Sequence, residues 1–163
     1  MNLAILLTGA LAAMLMTSVG SAAPNIYPDP GFEKAGEMGE ARTGERAGRL
    51  EVRTESHWDA IGSRLEVEPF ARYRVAEWYK ARVGKGMFFA PHCYDWDSFG
   101  WCFGASNRVP TTDSWTATSL TFVSPTGSMH VSPLAIIDAT DCIGWADDIV
   151  VEKVAEPDQV MAE

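Results

Sequence analysis

Carboxylates near the two ends of this chain carry its first hint of chemistry. Pro30-Gly31-Phe32-Glu33 stands near the start, and Gly144-Trp145-Ala146-Asp147-Asp148-Ile149-Val150-Val151 stands near the end. Each sets acid beside a strand-like apolar run. If the first and last strands lie side by side, Glu33 and the Asp147-Asp148 pair converge. Oxygen ligands gathered from distant parts of a chain suit a hard cation such as calcium. The bland reading is an Asp147 that caps a turn and a Glu33 that is a solvated charge.

Rings beside acids form a second cluster. Tyr94, Trp96, Phe99 and Trp101 crowd around Asp95 and Asp97. Phe99 and Trp101 also alternate in a way that suits a core, which leaves Trp96 as the ring most exposed at the tip. Six Trp are many for 163 residues. Such a surplus serves cores, and it serves recognition of sugars and partners. Catalysis finds little footing. Glycoside hydrolysis needs two carboxylates across a cleft. Asp95 and Asp97 instead share a turn, and Glu77 has no visible second acid. The sequence has no Gly-x-Ser-x-Gly elbow, no His-Glu-x-x-His pair and no phosphate loop. His92 and His130 have no evident partner and read as packed or solvated.

The elements that position these groups belong to one exported domain. Residues Leu3 to Met16 are apolar apart from Thr8 and Gly9, and small residues follow from Ser18 to Ala23. This is the pattern of a secretory signal peptide over residues 1–22, cut after Ala22. The alternative is an uncleaved anchor, although the run is short for a bilayer span. Cleavage implies a secreted protein, extracellular or periplasmic, with no membrane insertion after signal removal. A formal charge of −9 repels phosphate backbones, so nucleic acid is not an expected partner. Three Cys remain to be placed. A hairpin centred between Asp97 and Ser98 would set Cys93 opposite Cys102, close enough for a cross-strand disulfide. Cys142 is then a buried free thiol. The alternative keeps all three reduced.

The mature chain reads as strands throughout. Leu50–Thr54, Arg64–Glu68, Arg72–Val83, Met87–Tyr94, Phe99–Ala105, Trp115–Val123, Met129–Ile137 and Ile143–Val154 follow a short first strand in Asn25–Glu33. Lys34–Arg49 reads as a long loop, and Ala155–Glu163 as a polar tail that frays. In Arg72–Val83, Tyr73, Val75, Tyr79, Ala81 and Val83 share one face. Arg72, Arg74, Trp78, Lys80 and Arg82 share the other. Short strands at regular spacing with no sustained helical period predict an all-β antiparallel two-sheet sandwich over residues 23–154.

Four features in order carry a resemblance: the Pro-Gly-Phe-Glu opening, the Tyr-x-Val-x-x-x-Tyr-x-Ala strand from Tyr73, Trp115 entering a Thr/Ser-rich strand, and the closing Asp-Asp-Ile-Val-Val. The chain from Asn25 to Val154 resembles carbohydrate-binding modules of the CenC type, which are galactose-binding-domain-like jelly rolls. The resemblance implies a structural Ca2+ joining first and last strands, held by the Gly31 carbonyl, Glu33, Asp147 and the Gly48 carbonyl. It places Trp115 and Trp145 in the core. It departs at Glu77, where the family has an apolar residue and where a bulge would explain the acid. It also lacks the Trp that often follows the opening.

The resemblance implies a non-catalytic module whose partner is a polysaccharide or glycan. A pyranose stacks its C–H face on aromatic rings, with polar groups matching its hydroxyls. The candidates are Trp78 with Arg74 and Lys80 on a strand, Tyr94, Asp95, Trp96 and Asp97 at the hairpin tip, and Trp58 on a nearby loop. Trp78 has a second reading, as a cation–π partner that stabilises the sheet. The rival functions are a structural or adhesive sandwich without a sugar ligand, and a small polysaccharide-cleaving enzyme.

Overall fold

Alternation of apolar and polar side chains builds nine strands among the described residues. The computed structural model describes residues 23–95 and 105–162. The strands are β1 (Glu37–Met38), β2 (Arg46–Val52), β3 (Ser56–Glu66), β4 (Arg72–Arg82), β5 (Lys85–Tyr94), β6 (Ala105–Arg108), β7 (Thr112–Val123), β8 (Ser128–Thr140) and β9 (Cys142–Ala155). They form two antiparallel sheets, one of order β1-β2-β9-β4-β7 and one of order β3-β8-β5-β6. The fold is the expected antiparallel jelly-roll sandwich.

The two inner faces meet in one core. Val75, Phe88, Met129, Val131, Leu134, Ile136, Ile149 and Val151 are fully buried there. Each large apolar side chain so buried stabilises the fold by roughly 1.5–3 kcal/mol. Two glycines permit close packing. A Cβ on Gly144 would lie 2.3 Å from the Phe88 ring, and one on Gly48 would lie 2.5 Å from the Phe32 ring. In β4 the expected faces hold. Tyr73, Val75, Tyr79 and Ala81 are buried, while Arg74 and Arg82 are exposed and Trp78 and Lys80 half-buried.

The first segment does lie beside the last strand. β2 pairs with Cys142 to Ala146 of β9. Beyond that point the Ile26 N–H donates to the Val151 carbonyl at 2.9 Å, and the Ile149 N–H donates to the Pro30 carbonyl at 2.8 Å. The Asn25 side chain donates to the Ile149 carbonyl and accepts from the Val151 N–H. The segment serves this edge of β9 without forming a regular strand.

Several elements differ from the sequence-based expectation. β3 begins at Ser56, because a register shift between Ile61 and Ser63 breaks the alternation that would reveal it. The expected loop Lys34–Arg49 contains β1 and the start of β2. The tail is partly ordered. α1 (Pro157–Met161) has Pro157 in its first turn, and the Gln159 side chain accepts from the Glu156 N–H at 2.8 Å. Trp115 and Trp145 are not in the core. Each is half-buried on the outer face of the five-stranded sheet, where Trp145 pairs across to both Arg49 and Lys80. Cys93 is a free buried thiol among the described residues, and Cys102, its expected partner, lies outside them. Cys142 is free and buried, as expected.

Glu77 is the exception inside the core. β4 carries no bulge at this residue, so strict alternation turns its carboxyl inward. It is 2% exposed, and neither oxygen has a hydrogen-bond partner among the described residues. Burial alone pushes its pKa well above the ordinary value. The same carboxyl adds to the upward shift of its neighbours Tyr27 and Cys93, both driven first by burial. The sign of the linkage follows. Below about pH 4.5 the group is neutral whether folded or unfolded. Above that, only the unfolded chain ionises readily, so stability falls as pH rises toward the folded pKa. Replacing Glu77→Met should therefore raise stability at pH 7 by about 1–3 kcal/mol and flatten the pH dependence above 4.5. Urea unfolding across pH checks this; equal stability of the two proteins at pH 7 would contradict it.

Candidate functional site

Outer-face side chains of the four-stranded sheet converge into an aromatic cleft. Across β3, β8 and β5 one row runs Arg64, His130, Tyr94. The next holds Ser132 and His92. Trp58 lies far along β3, opposite Ile137. Ile137 and His130 are seven residues apart on one strand, about 23 Å if extended. Yet the Trp58 ring lies 6.4 Å from that of Tyr94, edge to face, and 5.2 Å from that of His92. The sheet must bend toward this face, near the register shift between Ile61 and Ser63 and the one between Phe89 and His92. The outer face is thus concave.

Its floor is a continuous set of rings. Tyr94 stacks on His130 at 4.8 Å, and His92 lies 5.4 Å from Tyr94 and 6.0 Å from Phe89. A hollow of about 260 Å3 at one end is lined by Arg64, Tyr94, Ser128, Met129 and His130. Burial and then the neighbouring His130 hold the His92 pKa down to about 4, and burial lowers that of His130. Both imidazoles are therefore neutral at pH 7, each with one donor and one acceptor nitrogen. His130 Nδ1 lies 3.2 Å from the Ser132 hydroxyl. The buried Nδ1 of His92 has no partner among the described residues. Flat rings with scattered hydrogen-bonding atoms can stack a ring-shaped ligand and match its hydroxyls.

The predicted ligand residues divide between two sides of the sandwich. Trp58 and Tyr94 meet in the cleft. Asp95 is buried at 3% exposure at the end of β5 and does not line the open face. Trp96 and Asp97 lie outside the described residues. Trp78, Arg74 and Lys80 stand on the opposite side, on the five-stranded sheet. There the Arg42 guanidinium lies 3.9 Å over the Trp78 ring, so the cation–π partner is Arg42 rather than Arg74 or Lys80. Lys80 sits between Trp145 at 4.9 Å and Trp115 at 5.9 Å and is ion-paired to Glu40. Arg74 pairs with Glu152. Sequence reasoning missed His92, His130 and Phe89. The outward alternation of Phe89 in β5 was legible; the convergence of the histidines with Trp58 was not.

The carboxylates at the two ends also meet. A bulge in β9 sets Ala76 opposite Val150 but Trp78 opposite Asp147, and Asp148 takes a left-handed φ of 52°. The bulge expected in the strand of Glu77 is absent, and the irregularity lies instead in β9, the strand facing it. The β9 bulge leaves Asp147 on the face it shares with Trp78, fully buried beneath the Arg42–Thr43 backbone, and Asp148 near the surface. Asp147 Oδ2 accepts from the Arg42 and Thr43 N–H groups at 2.8 and 3.0 Å, and Oδ1 accepts from the Asp148 N–H at 2.8 Å. Asp148 takes the Arg42 guanidinium and the Thr43 hydroxyl. Glu33 Oε1 accepts from the Glu45 N–H at 3.0 Å. A Cβ on Gly31 would lie 3.7 Å from Asp147 Oδ1 and 4.0 Å from Glu33 Oε1, so both acids border the same point. Gly48 pairs with Ala146 beneath the Phe32 ring. Burial keeps the Asp147 pKa raised despite its three N–H donors, with the Asp148 charge adding to it. Two carboxylates at one point are oxygen donors of the kind a hard cation takes. Among the described residues no group of three or more His, Cys, Asp or Glu is placed to hold a metal by side chains alone.

No family model matches the sequence, and no curated protein matches it. Solved structures do share the fold. One is a family 61 carbohydrate-binding module (TmCBM61) in complex with β-1,4-galactotriose, at TM-score 0.57 and 20% identity, covering 81% of this chain and all of that one. A second is a family 16 module, at 0.52 and 20%, covering 69% and 80%. A third is a family 22 xylan-binding domain from Paenibacillus barcinonensis Xyn10C, at 0.54 and 18%, covering 74% and 80%.

The Asp147 network makes a direct prediction. Asp147→Ala strands three backbone N–H groups and should cost about 2–4 kcal/mol of folding free energy. Urea denaturation measures it. A loss below about 1 kcal/mol would show that the carboxylate is not a structural tie.

Proposed function

We propose that this chain is an exported, non-catalytic module that binds a neutral polysaccharide in the cleft of Trp58, His92, Tyr94 and His130. The observation that carries the reading is the convergence of those rings on one concave sheet face. The solved structures of like fold support it, since they include a galactotriose complex and a xylan-binding domain. The net charge of −9 disfavours polyanionic glycans. Export rests on the apolar segment within residues 1–22 and its small-residue ending.

Stacking supplies the affinity and hydrogen bonds supply the choice of sugar. Trp58 and Tyr94 offer flat faces, and the two neutral imidazoles and Arg64 offer groups for hydroxyls. A glycan array followed by affinity electrophoresis on neutral polysaccharides should show binding. Trp58→Ala and Tyr94→Ala should each weaken it at least tenfold, about 1.4 kcal/mol. Absence of binding to every neutral glycan would sink the reading.

The same proposal includes a calcium ion at the meeting of Glu33 and Asp147, with the Gly31 and Gly48 carbonyls as candidate main-chain ligands. Such an ion supplies positive charge to the buried, incompletely compensated Asp147 and joins the ends of the chain. Calcium should raise Tm in proportion to ln[Ca2+] once above its dissociation constant. EDTA should reverse the rise, and Glu33→Gln should blunt it. A Tm indifferent to EDTA and calcium would remove the ion from this account.

A further inference from the structure

We infer that the module carries a second saccharide site, on the outer face of the five-stranded sheet beside Trp78 and on the far side of the sandwich from the cleft. The inference rests on the reading of the cleft as a glycan site. Its basis is a shelf of about 350 Å3 bordered by Arg74, Ala76, Trp78, Ala117, Ser119 and Asp148. This lies at the low end of ligand-site volumes, roughly 300–1,000 Å3.

Register creates the shelf. Trp78 stands opposite Ala117, and the next outward row pairs Ala76 with Ser119. Three small side chains therefore lie beside one large ring, while the row on the other side carries Trp145 and Lys80. Trp78 is half-buried, and Ala117 and Ser119 on edge strand β7 are exposed. Arg42 stacks on the Trp78 ring at 3.9 Å and is tied to Asp148, so the ring is held before any ligand arrives. A fixed ring loses little side-chain entropy on binding.

The charges favour a neutral ligand. Arg74 pairs with Glu152, and Arg42 with Asp148, so the cations around the shelf are balanced. What remains is an aromatic edge with hydroxyl, guanidinium and carboxylate groups at its rim. That mixture suits a pyranose, which presents an apolar face and donor–acceptor hydroxyls. The cleft and the shelf lie on opposite outer faces, so one molecule would engage two chains and gain avidity on an insoluble polysaccharide.

Calorimetric titration with β-1,4-linked galacto-, gluco- and xylo-oligosaccharides of about three to six units tests this, since such lengths span clefts of this size. The proteins are wild type, Tyr94→Ala, Ala117→Arg and the double variant, with Ser119→Arg replacing Ala117→Arg should that protein not fold. The expected stoichiometry is two per chain for wild type, one for each single variant and none for the double. Binding at one site, lost in Tyr94→Ala and untouched by Ala117→Arg, overturns the second site and leaves the cleft standing. Binding at one site, lost in Ala117→Arg alone, overturns the cleft and leaves the shelf. No binding of any oligosaccharide overturns both.

Discussion

The burial of Asp147 is the constraint on which much of the five-stranded sheet depends. A carboxylate with no exposure needs its oxygens satisfied. Two of its three donors come from the backbone at Arg42 and Thr43, a hundred residues earlier. That requirement pins the 42–46 loop against β9. The pinned loop presents its N–H groups to Glu33 and lays Arg42 on Trp78. The bulge that sets Asp147 opposite Trp78, beneath the loop, also places Asp148 where it pairs with Arg42 and Thr43. One irregularity in one strand thus organises the chain opening, the loop and an aromatic on the outer surface.

The two sheets solve different problems. The five-stranded sheet covers its outward tryptophans with its own cations: Arg42 on Trp78, and Lys80 between Trp115 and Trp145. Those cations and Arg74 are balanced by ion pairs to Glu40, Glu152 and Asp148. The four-stranded sheet bends and gathers its rings on one another. Tyr94 stacks on His130, and Trp58 meets His92 and Tyr94 edge to face. Glu77 stands apart from both, as an acid placed in the core by alternation with no described partner. Its cost is accepted somewhere in the stability of the whole, and no chemistry on either face uses it.

Much of the fold was legible from residue patterns. β4, β7, β8 and β9 appear close to their expected bounds, because long alternating runs of β-branched and aromatic residues leave few other choices. β3 was half hidden, because its register shift displaces Ile61 from the alternating pattern. Glu33 and Asp147 were legible as a pair that would meet if the chain ends adjoined. The site was less so. Trp58 and Tyr94 were singled out for their type, and Trp78, Arg74 and Lys80 were grouped with them although they face the other way. Trp115 and Trp145 were placed in the core by the family resemblance, yet register sets Trp145 on the outer face opposite Lys80.

The sequence by itself determined the strand periodicity, the faces of β4 and the acids at the chain ends. These are local properties, set by a side-chain period of two and by residue type. Tertiary structure alone decided which rings share a surface. Trp58 and Tyr94 meet only because β3, β8 and β5 bend together, and Arg42 finds Trp78 only because Asp147 draws its loop across. Such contacts join residues tens of positions apart through register and curvature. No local pattern encodes either, because a shift of one residue in pairing reverses the face of every side chain that follows.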